Sequence, residues 1–351
     1  MRPLVALLVA LVVVGCSADD SPPTVDGGES TIETPAADST PSDPATSDPA
    51  PADPARSDPA TSDPATALTA ETDSTATDST ATTTTTVQRS IDGRPFNVFV
   101  PTAYDGATAV PLVVLLHGYT SSGVLQDGYF GMQAIAEDRG FLAVHPDGTI
   151  DARGDQFWNA TDACCNLTGS AVDDSAYLNA LVEDVQATFA VDPKRIYFVG
   201  HSNGGFMSYR MACEHADKIA AIASLAGATF ADVDRCRPSE PVNVLQIHGT
   251  ADSVIGYEGG DILGNAFPSA ATTVATWASY NGCSPTLQPD ETRLDLEANL
   301  PDTDTAIAGF ADCPAGGDVE LWAIEDGAHS PLLSATFTEH VIDFLLAHPK
   351  P

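Results

Sequence analysis

Lys194-Arg195-Ile196-Tyr197-Phe198-Val199-Gly200-His201-Ser202-Asn203-Gly204-Gly205 is the stretch whose reading decides the fold. Its first part, Lys194 to Gly200, is apolar at its centre and reads as a strand; Asn203 to Glu214 reads as an amphipathic helix. Between them Gly200-His201-Ser202-Asn203-Gly204 fits the pattern G-x-S-x-G. A serine caught between a strand end and a helix start sits on a sharp turn that lifts its hydroxyl clear of the backbone. The flanking glycines are needed where neighbouring main chain passes close by. The helix that follows aims unpaired N–H groups at any negative charge forming beside the serine. Five letters alone match by chance. The placement makes Ser202 a candidate nucleophile.

On either side, apolar runs alternate with helical periodicity. Val110 to His117 (VPLVVLLH), Phe141 to Pro146, Ile219 to Ala226, Val242 to His248 and Val319 to Ile324 read as further strands. Asp173 to Ala190, Ala271 to Tyr280 and Ala335 to Ala347 read as helices. The alternation predicts an α/β protein built on a mostly parallel, doubly wound sheet with helices on both faces. One such domain accounts for residues 91–351.

An attacking serine needs a base, and the base needs an acid to orient it. With a strand–serine–helix elbow, as in the α/β-hydrolase fold, they follow in the chain order Ser, Asp or Glu, His. Asp252 comes just past the strand Val242–Ile247, in His248-Gly249-Thr250-Ala251-Asp252. His329 closes Asp326-Gly327-Ala328-His329, after the strand Val319–Ile324 and before the last helix. Asp232, Asp234 and Asp261 are rival acids, but none follows a strand so directly. His201 adjoins the serine, where side chains at a sharp turn diverge, and reads as structural; His248 reads as a loop-pinning residue. The oxyanion donors are expected to be the backbone N–H groups of Asn203 and Tyr119, with His117 pinning the Tyr119 loop. No metal site and no cofactor are expected, and activity should fall in acid as the imidazole becomes protonated.

The first residues read as an export signal. Met1-Arg2-Pro3 is a short basic start, and Leu4 to Val14 is an unbroken apolar run of eleven residues. A membrane span needs about 20, so a signal peptide over 1–15 is the better reading. Val13-Val14-Gly15-Cys16 resembles the lipobox of bacterial lipoproteins, which implies lipidation of Cys16. Residues 16–90 read as a disordered tether. Five tandem pentads of the type Ser-Asp-Pro-Ala-Thr fill 42–66, and a run of five threonines follows at 82–86. Such composition offers almost no apolar area to offset ordering entropy. An enzyme held at the cell surface by lipid on Cys16, or released from it, is the expected localisation.

With Cys16 set aside, six cysteines remain, and an exported chain with six suggests disulfides. Loop economy favours Cys213–Cys236 and Cys283–Cys313; the adjacent Cys164 and Cys165 are left open. The chain carries a net charge of −35, and residues 91–351 alone hold 35 acidic against 11 basic side chains. So acidic a surface repels phosphate backbones, which excludes nucleic acid as a partner. No obligate protein partner is indicated.

The blocks LLHGYTSSG, HPDG, WNATDACC, VDDSAYLNALVEDV, GHSNGG, IHGTAD and the late GAH resemble, in the same order, the secreted polyhydroxybutyrate depolymerase, feruloyl esterase and acetylxylan esterase family. The resemblance covers residues 91–348. It implies an α/β-hydrolase fold, serine esterase chemistry through an acyl-enzyme with Ser202, Asp252 and His329 as the triad, and Trp158 in the substrate pocket. Two departures stand out. The family often has proline where Gly256 stands, and an aromatic residue where Ser330-Pro331-Leu332 follows the histidine. Short or oligomeric polyhydroxybutyrate-type esters are the expected substrates over crystalline polymer, since one domain uses up residues 91–351 and leaves none for a polymer-binding module. Feruloyl or acetylxylan esters are the second reading. A non-catalytic surface-binding lipoprotein is a third, disfavoured because all three catalytic positions are filled.

Overall fold

The computed structural model describes residues 85–301 and 303–351; the expected signal peptide, Cys16 and the tether as far as residue 84 lie outside the described residues. The described chain opens on a hairpin of β1 (Thr85–Ile91) and β2 (Arg94–Val100). Strand β3 (Val110–Leu116) leads into helices α1 (Gly123–Phe130) and α2 (Met132–Arg139), then β4 (Leu142–Val144). A small hairpin, β5 (Thr149–Ile150) and β6 (Gln156–Phe157), precedes α3 (Asp174–Thr188). The central strand β7 (Val191–His201) runs into α4 (Asn203–Glu214), followed by β8 (Ala221–Leu225) and β9 (Asn243–Gly249). After a second small hairpin, β10 (Gly260–Ile262) and β11 (Asn265–Phe267), come α5 (Ala270–Asn281) and the antiparallel pair β12 (Leu287–Leu294) and β13 (Thr305–Phe310). Strand β14 (Val319–Ile324) and helix α6 (Phe337–Ala347) close the fold.

Ten strands form one sheet in the order β1-β2-β4-β3-β7-β8-β9-β14-β13-β12. The six from β4 to β14 are parallel, and each edge is finished by antiparallel strands. The apolar runs explain the centre. In β3, Leu112, Val114 and Leu116 join the core under α3, α4 and α5, while Val113 and Leu115 join the core under α1, α2 and α6. A strand covered on both faces cannot alternate polar with apolar. The chain goes from β3 to β4 on one side and then to β7 on the other. Loops leaving the carboxyl ends of β3 and β7 therefore diverge there, opening the crevice in which α/β sheets hold their ligands.

The ordered unit extends further back than residue 91. Thr85–Ile91 pairs in register with Arg94–Val100 through a two-residue turn at Asp92-Gly93, both with positive φ (50° and 80°). Val87, Arg89 and Ile91 face inward in alternation, and the Arg89 guanidinium grips Asp184 with contacts of 2.6 and 2.8 Å. Residues 85–90 are thus strand and not tether. The Asp-Gly turn matches the twist of the hairpin it joins.

Candidate active site

Ser202 lies between β7 and α4 with φ 53° and ψ −119°, a left-handed conformation that costs a non-glycine residue about 1–3 kcal/mol. The surroundings enforce it. Its N–H donates to Leu225 O (2.8 Å), and its carbonyl accepts from Phe206 N (3.0 Å). A Cβ on Gly200 would come within 2.1 Å of Gly204 O, and one on Gly204 within 2.2 Å of Leu116 O. Only glycine fits at either place, and the turn is wedged against the end of β3.

Asp252 and His329 are brought together because β9 and β14 are parallel neighbours. The loops beyond their carboxyl ends are stitched by Thr250 N to Ile324 O (2.9 Å), Ala251 N to Gly327 O (3.0 Å) and Asp326 N to Thr250 Oγ1 (2.8 Å). Gly249 permits the approach, since a Cβ there would lie 2.2 Å from Gly327 O. His329 Nδ1 then sits 2.8 Å from Asp252 Oδ2, whose side chain is fully buried. The other oxygen, Oδ1, accepts from Val254 N (2.8 Å) and Ile255 N (2.9 Å). His248 accepts at Nδ1 from Gln246 and donates from Nε2 to Ile255 O at 2.8 Å, leaving Nε2 3.3 Å from Asp252 Oδ2. Burial opposes ionisation of Asp252. Hydrogen bonds from His248, His329 and Val254, with the charge of His329, outweigh it and hold the carboxyl well below the usual range. Asp252 stays a carboxylate across the pH range in which an imidazole titrates. Exposed Asp232, Asp234 and Asp261 take no part.

His329 and Ser202 line one pocket. Among the described residues no hydrogen bond joins the Ser202 hydroxyl to His329, a contact that in unliganded enzymes often tightens only when substrate binds. The remaining contacts hold His329 from behind. His201, 8% exposed, donates from Nε2 to His329 O at 2.9 Å, and the two rings lie 5.1 Å apart. Burial holds the pKa of His201 down at about 4, although its hydrogen bond to the His329 carbonyl opposes this. A free histidine titrates near 6.5, so between about pH 6.5 and 4 the unfolded chain binds a proton that the folded one refuses. Stability is lost as pH falls through that window, by on the order of 3 kcal/mol from this residue. His201→Leu is expected to shrink the drop in unfolding free energy between pH 7 and 4.5 by about 2 kcal/mol. Denaturant titrations at the two pH values check it, and an unchanged drop contradicts it.

Two loops carry the backbone N–H groups of Asn203 and Tyr119 that the sequence reading expects as oxyanion donors. Asn203 is the first residue of α4, where N–H groups have no intrahelical partner. In the loop after β3, hydrogen bonds run from Thr120 N to Gln156 O (2.9 Å) and Ser121 N to Gly118 O (3.1 Å), and Tyr119 N–H is not drawn into them. A Cβ on Gly118 would stand 3.5 Å from Ser202 Cβ, over the space a substrate needs. His117 donates from Nδ1 to Gly118 O (2.7 Å) and accepts at Nε2 from Gly148 N (2.8 Å); burial lowers its pKa. It pins the loop.

Trp158 is not in the pocket, contrary to the expectation. It is fully buried, its indole donates to His117 O (3.1 Å), and its backbone N–H and C=O pair with the Asn203 carboxamide (2.7 and 2.9 Å). An indole wedged behind both of these loops supports them and does not line the pocket. The pocket, about 320 Å³, is lined instead by residues the sequence reading missed, among them Gln126 and Tyr129. Helix α1 contains two glycines and carries Val124 and Leu125 exposed, so its inward face was not legible as periodicity.

All three cysteine pairs are disulfides: Cys213–Cys236, Cys283–Cys313 and the adjacent Cys164–Cys165. The first ties the end of the helix that follows Ser202 to the loop beyond β8.

A sequence profile of the α/β-hydrolase fold matches residues 111–247. The chain is 29% identical over 238 residues to feruloyl esterase B of Piromyces equi, covering 66% of this chain and 41% of that protein. It is 31% identical over 202 residues to feruloyl esterase C of Emericella nidulans, covering 56% of this chain and 65% of that one. The chain thus spans less than half the length of the Piromyces protein. The acetyl xylan esterase of Aspergillus awamori superposes with a TM-score of 0.52 at 15% identity, over 74% of this chain and 98% of that one, a likeness of fold.

Proposed function

We propose that this chain, an α/β-hydrolase by fold, is an extracytoplasmic serine esterase acting on short or oligomeric carboxylic esters. The observation that carries the reading is the pair of buried Asp252 and half-buried His329, 2.8 Å apart, opening on the pocket that holds Ser202 in its left-handed turn. In the reaction, His329 Nε2 takes the hydroxyl proton as Ser202 Oγ attacks the ester carbonyl. Asp252 holds Nδ1–H and offsets the charge of the imidazolium. The N–H groups of Asn203 and Tyr119 receive the oxyanion. The imidazolium then returns its proton to the departing alcohol, leaving an acyl group on Ser202. Water, deprotonated by the same histidine, attacks that acyl carbon and releases the acid.

The resemblance to polyhydroxybutyrate depolymerases and the likeness to feruloyl and acetylxylan esterases support ester hydrolysis. A pocket of about 320 Å³ stands at the small end of ligand sites and favours short acyl groups. On p-nitrophenyl esters, kcat/KM is expected to peak at acetate to butyrate and fall at least tenfold by decanoate; a peak at long chains contradicts the size argument. Feruloyl sugars and acetylated xylan belong in the same panel, because the relatives' names favour them as the second reading.

The three disulfides mark an oxidising, extracytoplasmic setting. The finer proposal is a lipid anchor on Cys16 and a spacer reaching from it to the catalytic domain. Cys16→Ser is expected to move the protein from the detergent phase to the aqueous phase in a phase-partition assay. Retention in the detergent phase would assign anchoring to something else.

A further inference from the structure

Gln126 stands where a helix of this kind should present an apolar side chain. The inward face of α1 is Gly123, Gln126 and Phe130, at spacings of three and four. The helix start is locked in place: Gly123 N–H donates to Asp147 Oδ1 (2.8 Å), and a Cβ on Gly123 would lie 2.0 Å from His145 O. Gln126 follows one turn later, 2% exposed, and lines the pocket shared by Ser202 and His329. Its Nε2 has no hydrogen-bond partner. Buried polar groups are nearly always paired, since leaving one unpaired forfeits its hydration without return. Three neighbouring side chains at this wall already have partners. Tyr129 OH donates to Pro331 O (2.6 Å), Tyr119 OH to Asp151 (3.1 Å), and His201 to His329 O.

We infer that Gln126 is a specificity-determining residue whose carboxamide hydrogen-bonds a second oxygen of the substrate, beyond the scissile ester. A carboxamide carries both a donor and an acceptor, so a hydroxyl or a carbonyl oxygen is equally suited. The preferred substrates are then esters bearing a polar oxygen close to the reacting carbonyl, in preference to plain alkyl alkanoates. The inference rests on the serine-esterase reading of this same pocket. A long polar side chain on a rigid helix is already placed for the contact, so little ordering entropy is lost on binding.

The test compares matched esters with and without a hydroxyl, one pair varying the acyl part (ethyl 3-hydroxybutyrate and ethyl butyrate) and one the alcohol (2-hydroxyethyl acetate and propyl acetate). In the wild type the hydroxylated member of at least one pair is expected to have the higher kcat/KM. Gln126→Leu, and the length-matched Gln126→Met, should lower that ratio about tenfold through the hydroxylated ester alone. Tm should stay the same or rise, because no protein hydrogen bond is lost. Unchanged ratios in both pairs overturn the inference, as does an equal loss on all four esters with a lower Tm, which makes Gln126 structural. A wild type inert to every ester overturns the esterase reading as well, whereas an active wild type with unchanged ratios in the variants overturns this inference alone.

Discussion

Ser202→Ala is expected to lower kcat by about three to six orders of magnitude while the protein stays folded. The hydroxyl is the only atom removed, and the proposed chemistry has no other nucleophile. The elbow itself should survive. It is set by Gly200, Gly204 and the Ser202 N–H bond to Leu225 O, none of which the side chain supplies. Steady-state rates on p-nitrophenyl acetate, with a circular dichroism spectrum of each protein, make the comparison. A folded alanine variant that keeps most of its activity would contradict the assignment of Ser202 as nucleophile.

Asp252→Asn is expected to cost about three to four orders of magnitude in kcat with smaller changes in KM. Every neighbour of the carboxylate is a donor: His329 Nδ1–H, the N–H groups of Val254 and Ile255, and His248 Nε2 at 3.3 Å. An asparagine presents an NH2 group to one side of that ring of donors. Facing His329, it forces the proton from Nδ1 to Nε2, and the imidazole then has no lone pair for the serine proton. Facing Val254 and Ile255, it sets N–H against N–H and pushes the loop away. Kinetics across pH 6–9 measure the effect, and a loss below tenfold would mean that His329 is oriented by something other than Asp252.

How much of this was legible in the sequence follows from how strongly each element is constrained. The central strands β3, β7, β9 and β14 are largely buried and therefore mostly apolar, which makes them readable. Their order in the chain places Ser202, Asp252 and His329 at carboxyl ends. Strand β12, LQPDETRL, is a charged edge whose exposed residues resist further pairing, and it carries no alternation to find. The β1 hairpin was hidden inside a threonine-rich run, although Asp92-Gly93 was its signal. Trp158 was misplaced because a large aromatic beside a catalytic motif suits a pocket wall as well as a buried support. Only its hydrogen bonds to His117 and Asn203 tell the two apart. The hold of His201 on the His329 carbonyl joins residues 128 positions apart, and no local pattern records such a contact.

The central claim is a covalent acyl-enzyme on one serine. Rapid acid quenching of the wild type during turnover of p-nitrophenyl butyrate, followed by peptide mass spectrometry, tests it most directly. A butyryl adduct is expected on the peptide containing Ser202, appearing with the burst of p-nitrophenol and absent from Ser202→Ala. An adduct confined to another residue, or steady turnover with Ser202 never acylated and no burst under fluorophosphonate-sensitive conditions, would contradict it.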